Sequence, residues 1–325
     1  FIGFGEHTMR YEEFTVSNLI VDRITGGGVG GFPTAGKKWY LSASKGSDGN
    51  SGNNEKKPLG TLAAAYAKLV TGQNDQLFIG GGATSHSLAA SLTISKNMCH
   101  FIGSPGGLMN NRARIGMSTT FTPMITVSGY GNTFSNLYSA HGTAATDLVG
   151  WLISGARNAF YNVHFGGPMN ADQGGHASYV GVDINGSENY FKGCVFGTDT
   201  IGRDEVSPNV SLAAGTLTIF DNCIFLCNLS DGDPLFFSVE NTSGYTWALF
   251  RGCTFMAFNS NYATAMTKAF DFTGGASCAM VFDPNCQFQN VTALSLNTED
   301  QYIWLPRQFV TTTDTEGMIS VQLAI

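Results

Sequence analysis

The chain has 325 residues, of which 13% are charged, with 41 Gly, 24 Phe and a formal net charge of −7. So few charges among so many turn formers and aromatics argue against long solvent-facing helices and for an all-β class. The acidic balance leaves no basic field to gather phosphates, so no nucleic-acid partner is expected. No apolar run reaches the roughly 18–20 residues that span a bilayer, so no membrane insertion is expected either. Phe1 to Glu6 lack the basic-then-apolar order of a signal peptide.

Residues 1–38 read as an N-terminal arm, with the run Gly26 to Gly31 and Pro33 forming a flexible joint. An arm ahead of a regular body predicts attachment to another protein. Residues 39–75 read as a capping segment. It holds a strand at Trp39 and Tyr40, a loop with Gly46, Asp48, Gly49, Asn50 and Gly52, and an alanine-rich helix after Pro58 and Thr61. This pattern resembles the N-terminal cap of pectate-lyase-like parallel β-helix proteins. Tyr40, Gly46, Asp48, Gly49, Gly52, Pro58 and Thr61 match that cap, and Leu59 and Leu62 depart from it conservatively. The resemblance covers residues 39 to 295. It implies a helix over the open end of the core, where strand edges would otherwise stay unpaired.

Residues 76–300 repeat. Leu77 to Ile79 is the first coil strand, and six later segments align on Phe134, Phe160, Phe191, Phe220, Phe250 and Phe282, spaced 26, 31, 29, 30 and 32 residues apart. In each, Phe points inward and its successor outward, and then Asn or Gly takes a tight bend, as at Asn136, Asn162, Gly193, Asn222 and Gly252. The bend resets the alternation, so Cys194, Cys223, Cys253 and Cys286, and a second Phe two residues later, point inward. A second strand precedes several copies, at Ile125 to Val127, Leu152 and Ile153, Val182 to Ile184, and Phe270 to Phe272. Such a unit cannot bury its own apolar face, but a stack of copies can. Leucine-rich repeats would need a Leu consensus and a helical half, and a propeller more strands per unit. The fold expected is a single-stranded right-handed parallel β-helix. Lys192, Asp221, Arg251 and Asp283 then stack on its outside as an ion-pair ladder.

The tail, 301–325, is read as a C-terminal strand or cap, with alternation from Met318 to Ile325. The seven Cys lack paired CxxC spacing and clustered His, so no zinc site, and no other metal or cofactor, is expected. Interior thiols fit assembly in a reducing host cytoplasm. The best acidic cluster is Asp199, Arg203, Asp204 and Glu205, with Asp231 and Asp233 one coil later. Carboxylates beside an Arg could cleave glycans, but a solvated loop is the plainer reading. His164 and His176 near Asp172 and Asp183 invite a dyad. His164, however, is equivalent to Val195 and Ile224, which have no catalytic capacity. Gly80 to Gly82 and Gly174 with Gly175 are read as turns, lacking the Lys and context of a phosphate loop.

No residue is therefore assigned a catalytic role, and the reading leans away from an enzyme. The function expected is that of a structural virion component of a bacteriophage-like particle, such as a capsid decoration, head fibre or tail protein. It would hold other virion proteins through its arm and form a homo-oligomer, a trimer by analogy with phage decoration proteins and tailspikes. The alternative is a polysaccharide lyase, glycoside hydrolase or glycan-binding tailspike. Outward Tyr138 and Tyr161 could stack on sugars or fill subunit contacts.

Overall fold

The computed structural model describes residues 36–104, 112–142, 149–214, 217–239, 246–259, 264–272, 278–295 and 303–304. The chain winds as a right-handed parallel β-helix. A full coil gives one strand to each of three parallel sheets of ten, eight and seven strands, the first, second and third sheets below, and Met266–Lys268 pairs with Val291–Ala293 in a further two-stranded sheet. One coil runs from Ala159–Tyr161 in the first sheet through His164–Pro168 in the second to Val180–Ile184 in the third. Asn189–Lys192 then re-enters the first sheet beside Ala159–Tyr161.

Phe101, Phe134, Phe160, Phe191, Phe220, Phe250 and Phe282 are register partners in successive strands of the first sheet. Their rings stack with centroids 4.6–5.1 Å apart and planes within 13° of parallel. Phe165, Phe196, Phe225, Phe255 and Phe288 build a second column on the second sheet, at 4.4–5.0 Å. The spacing within a column is the strand separation of about 4.8 Å. Between columns the rings meet edge to face, as in the pair Phe220 and Phe225 at 5.5 Å, the geometry the ring quadrupole favours.

The corner between these sheets is the predicted one. Asn136, Asn162, Gly193, Asn222 and Gly252 have φ of 52–61°, a region costing most L-residues about 1–2 kcal/mol. The residue after each points inward: Leu137, Val163, Cys194, Cys223 and Cys253 are buried. In the last copy Asp283 makes the corner instead, accepting the Gly252 and Asn285 N–H groups at 3.0 Å. The thiols of Cys194, Cys223, Cys253 and Cys286 donate to the carbonyls of Phe160, Phe191, Phe220 and Phe250 at 3.4–3.5 Å. Burial raises the Cys223 pKa well above the ordinary thiol value, which keeps it a donor.

Lys192, Asp221 and Arg251 are in register and Asp283 follows Phe282, the partner of Phe250, but the expected ion-pair ladder does not form. Asp221 instead accepts from Tyr190 Oη and Asn222 Nδ2, both at 2.7 Å. Asp283 is held by the backbone. The ion pairs among the described residues are Arg157 with Glu188 and Lys268 with Asp271.

At the other end, the helix Leu62–Lys68 is capped by Thr61 and buries Leu62 and Ala65. Asp48 anchors it by accepting the Gly60 and Thr61 N–H groups at 2.9 and 2.8 Å and the Thr61 hydroxyl at 2.8 Å. Partial burial pushes the Asp48 pKa up, but these bonds outweigh it and the net shift is downward. A Cβ on Gly46 would sit 2.0 Å from the Leu59 carbonyl oxygen, so this loop demands glycine there. The strand Lys38–Leu41 pairs with Gln76–Gly80 and so belongs to the first sheet. Residues 1–35 of the predicted arm, and the predicted tail strand from Met318 to Ile325, lie outside the described residues. No helix among the described residues is long and apolar enough to cross a membrane.

Candidate functional site

On the second sheet, side-chain alternation sends Ala113 and Ile115 inward and Arg112 and Arg114 outward. Register then stacks Arg114, Tyr138, His164, Val195 and Ile224 in one outward row. The upper half of this row is apolar, as the sequence equivalence of His164, Val195 and Ile224 requires. The lower half borders a surface groove of about 490 Å³, lined by Ser85, Ser87, Arg112, Arg114, Tyr138, His141 and Met169 among others.

Its polar wall is a linked set. The Arg112 guanidinium lies over the Tyr138 ring, 4.6 Å from the centroid, and donates from Nη1 to His164 Nδ1 at 3.2 Å. The His164 ring meets Tyr138 edge-on at 4.9 Å. Arginine can only donate, so Nδ1 is the acceptor and the imidazole proton sits on Nε2, which donates to the Gly197 carbonyl at 3.0 Å. Both ring nitrogens are occupied with the imidazole neutral. Burial is the main cause lowering the His164 pKa, and Arg112 adds to it; the Gly197 carbonyl and Asp199 act the other way. Burial likewise raises the Tyr138 pKa, against the pull of Arg112 and Arg114. In this arrangement His164 holds Arg112, with both ring nitrogens engaged. Arg112 Nε is buried with no hydrogen-bond partner.

Deeper in, His141 is 3% exposed and stacks parallel to Tyr179 at 5.6 Å. The guanidinium of Arg203 covers Tyr179 at 4.7 Å. The sequence places Arg203 with the acidic loop, and the structure corrects this. Arg203 is 2% exposed and points inward, donating to Asn209 Oδ1, the Ser207 carbonyl and Ser207 Oγ. These neutral acceptors stand in for a carboxylate partner, the condition for burying a charge. Asp199, Asp204, Glu205 and Asp233 are exposed. Asp231 serves a local turn, its Oδ1 accepting the Asp233 N–H at 3.0 Å. None of these carboxylates lines the groove. The convergence of these acids with Arg203 on one groove, which the enzyme alternative would require, is not seen at this groove.

The dyad also fails to assemble. His164 is committed to Arg112 and Gly197, His176 Nδ1 accepts the Ser178 N–H at 3.1 Å, and Asp183 stands on the third sheet beside Leu152 and Ser211. Among the described residues, no group of three His, Cys, Asp or Glu could hold a metal ion. Of the groove residues, the sequence reading reached Tyr138 as an outward aromatic and His164 as an outward coil position. It missed Arg112, Arg114 and His141. Arg112 and His164 are 52 residues apart, and only the coil register brings them together.

No protein-family model and no curated protein matches the chain. Among solved structures, a mutant pectin methylesterase in complex with a hexasaccharide is 16% identical, with a TM-score of 0.52, over 82% of this chain and 80% of that one. The pectin methylesterase PemA from Erwinia chrysanthemi is 15% identical over the same shares, with a TM-score of 0.50. ORF18 of Geobacillus virus E2 covers 76% of this chain and 62% of its own at 14% identity, and its TM-score of 0.31 is too low to carry an argument. At 16% identity or less these likenesses establish the fold, a parallel β-helix of the kind seen in pectin methylesterases, and leave the activity to the chemistry of the groove.

Proposed function

We propose that the chain is a glycan-binding β-helix whose groove takes an acidic saccharide. The observation that carries this reading is the Arg112 guanidinium, oriented over Tyr138 by a neutral His164, with Arg114 on the same wall. A guanidinium fixed in this way suits bidentate capture of a sugar carboxylate. The adjoining Tyr138 and Met169 give an apolar surface for a ring face. Groups that hold and orient are present in this wall, whereas a pair of carboxylates for acid and base work is not among its described lining residues. This favours binding over cleavage.

Pectin hexasaccharides are the natural first probe, because the fold neighbours include a pectin methylesterase bound to a hexasaccharide. Calorimetric titration should show the free-acid form binding and the fully methyl-esterified form binding weakly or not at all. Arg112→Ala should weaken the acid form by about 1.5–3 kcal/mol, the range for a hydrogen bond to a charged group. Equal affinity for the two forms would sink the reading. Methanol release or new chain ends during the titration would turn the assignment to catalysis, with Asp199 as the first carboxylate to replace.

The setting we propose for this module is a bacteriophage-like particle that holds it through residues 1–38. The support is the Gly-rich joint in the sequence, from Gly26 to Gly31. Removing residues 1–35, which stops short of the strand Lys38–Leu41, should leave a folded protein that still binds saccharide and no longer attaches; loss of folding would contradict this division.

A further inference from the structure

The outer face of the first sheet resolves by register into two rows. One is apolar and half-buried: Tyr190, Ile219, Leu249 and Val281. The other lies two residues further along each strand and reads Lys192, Asp221, Arg251 and Asp283. Trp247, two residues before Leu249 on the same face, is 37% exposed. The two acids are already engaged, Asp221 by Tyr190 of the preceding coil and by Asn222, and Asp283 by the N–H groups of Gly252 of the preceding coil and of Asn285. Lys192 and Arg251 are exposed, and neither side chain forms a hydrogen bond or ion pair among the described residues.

We propose that this face docks a second copy of the chain with the two β-helix axes antiparallel. The two-fold axis would run along the strands, between the coils of Asp221 and Arg251. Rotation about that axis keeps each row over its own counterpart and reverses the order of the coils. Lys192 then faces Asp283 of the second copy, and Asp221 faces its Arg251. Ile219 faces Leu249, and Tyr190 faces Val281.

The series plus, minus, plus, minus is its own complement when reversed, so every charged position meets its opposite. Such an isologous contact closes on itself as a dimer. A parallel arrangement, such as the trimer expected by analogy with tailspikes, sets Lys192 level with Lys192 and Asp221 level with Asp221. Like charges then recur at each height, which is unfavourable. The apolar row beside the charges supplies the area that leaves water, and the charges supply register and orientation.

The test uses the full chain and three variants in analytical ultracentrifugation. The wild type should show a concentration-dependent dimer that weakens as salt is raised. Arg251→Asp alone places two acids opposite each other twice, and Asp221→Arg alone does the same with two cations. Each should lower self-association at least about tenfold, well within the coupling measured for close charge pairs. Mixed together, the two variants are complementary at all four positions, so the mixture should recover the dimer. Leu249→Glu should abolish association without touching the charged row. Circular dichroism and thermal melting of each variant report whether the β-helix is intact; should Asp221→Arg fail to fold, Arg251→Asp and Leu249→Glu decide the matter. A wild type that stays monomeric, a trimer, or a dimer indifferent to these changes would overturn the proposal.

Discussion

The coils from Phe191 onward and those before it obey the same geometry with different discipline. In the upper coils the corner residue, the inward thiol and the two Phe columns recur from Phe191 to Phe282, and the outward row of the second sheet becomes Val195 and Ile224. In the lower coils the thiol position is taken by Leu137 and Val163, the outward row becomes Arg114, Tyr138 and His164, and the groove opens beside it. Repetition is strongest where a residue has only to stack on its copy. The groove sits where the outward positions stop copying one another, and the inward ones keep the register that makes this affordable.

The sharpest way to test that division is to damage the regular half. Phe220 is fully buried with five rings at 5.1–5.7 Å. Phe220→Ala should cost about 3–5 kcal/mol in a denaturant titration, by lost transfer energy and the cavity left behind. A cost under about 1 kcal/mol would mean the columns are not what holds the coils together. At the corner, Asn222 has φ 52°. Asn222→Ala should cost about 1–2 kcal/mol, and Asn222→Gly much less, since glycine adopts this conformation freely. Equal costs would point to the side-chain bond to Asp221 and not to the backbone.

The smallest effect concerns the irregular half. The folded-state pKa of His164 is lowered from 6.5, so the neutral ring's contribution to stability is present in full above that value and is lost as pH falls through the lowered one. An NMR titration of the His164 ring should therefore give a midpoint below 6.5. In Arg112→Ala the midpoint should rise, though only part of the way, because burial is the larger cause. An unmoved midpoint would break the link between the two side chains.

Most of this fold is legible in the sequence because Phe, Asn or Gly, and Cys each mark a backbone state that few other residues serve as well. The third sheet is less so. Pro208–Leu212 and Leu235–Val239 are buried along their whole length, so they show no alternation to read. Arg203 misleads for a different reason. Its neighbours Asp204 and Glu205 suggest a solvated acidic loop, yet alternation turns the guanidinium inward onto Tyr179. The groove is hardest, since its wall joins side chains from three coils and neither Arg112 nor Arg114 carries a local pattern that marks it.

The corner between the first and second sheets has a further consequence. Its Phe, outward residue and Asn or Gly keep the same short spacing from Phe134 to Phe250, while the distance between leading Phe residues ranges from 26 to 32. All variation in coil length therefore falls away from this edge. The molecule has a spine of fixed gauge along one side and, on the other, segments whose length is free to drift. Evolution can lengthen or exchange those segments one coil at a time, and the coils above and below need not be retuned.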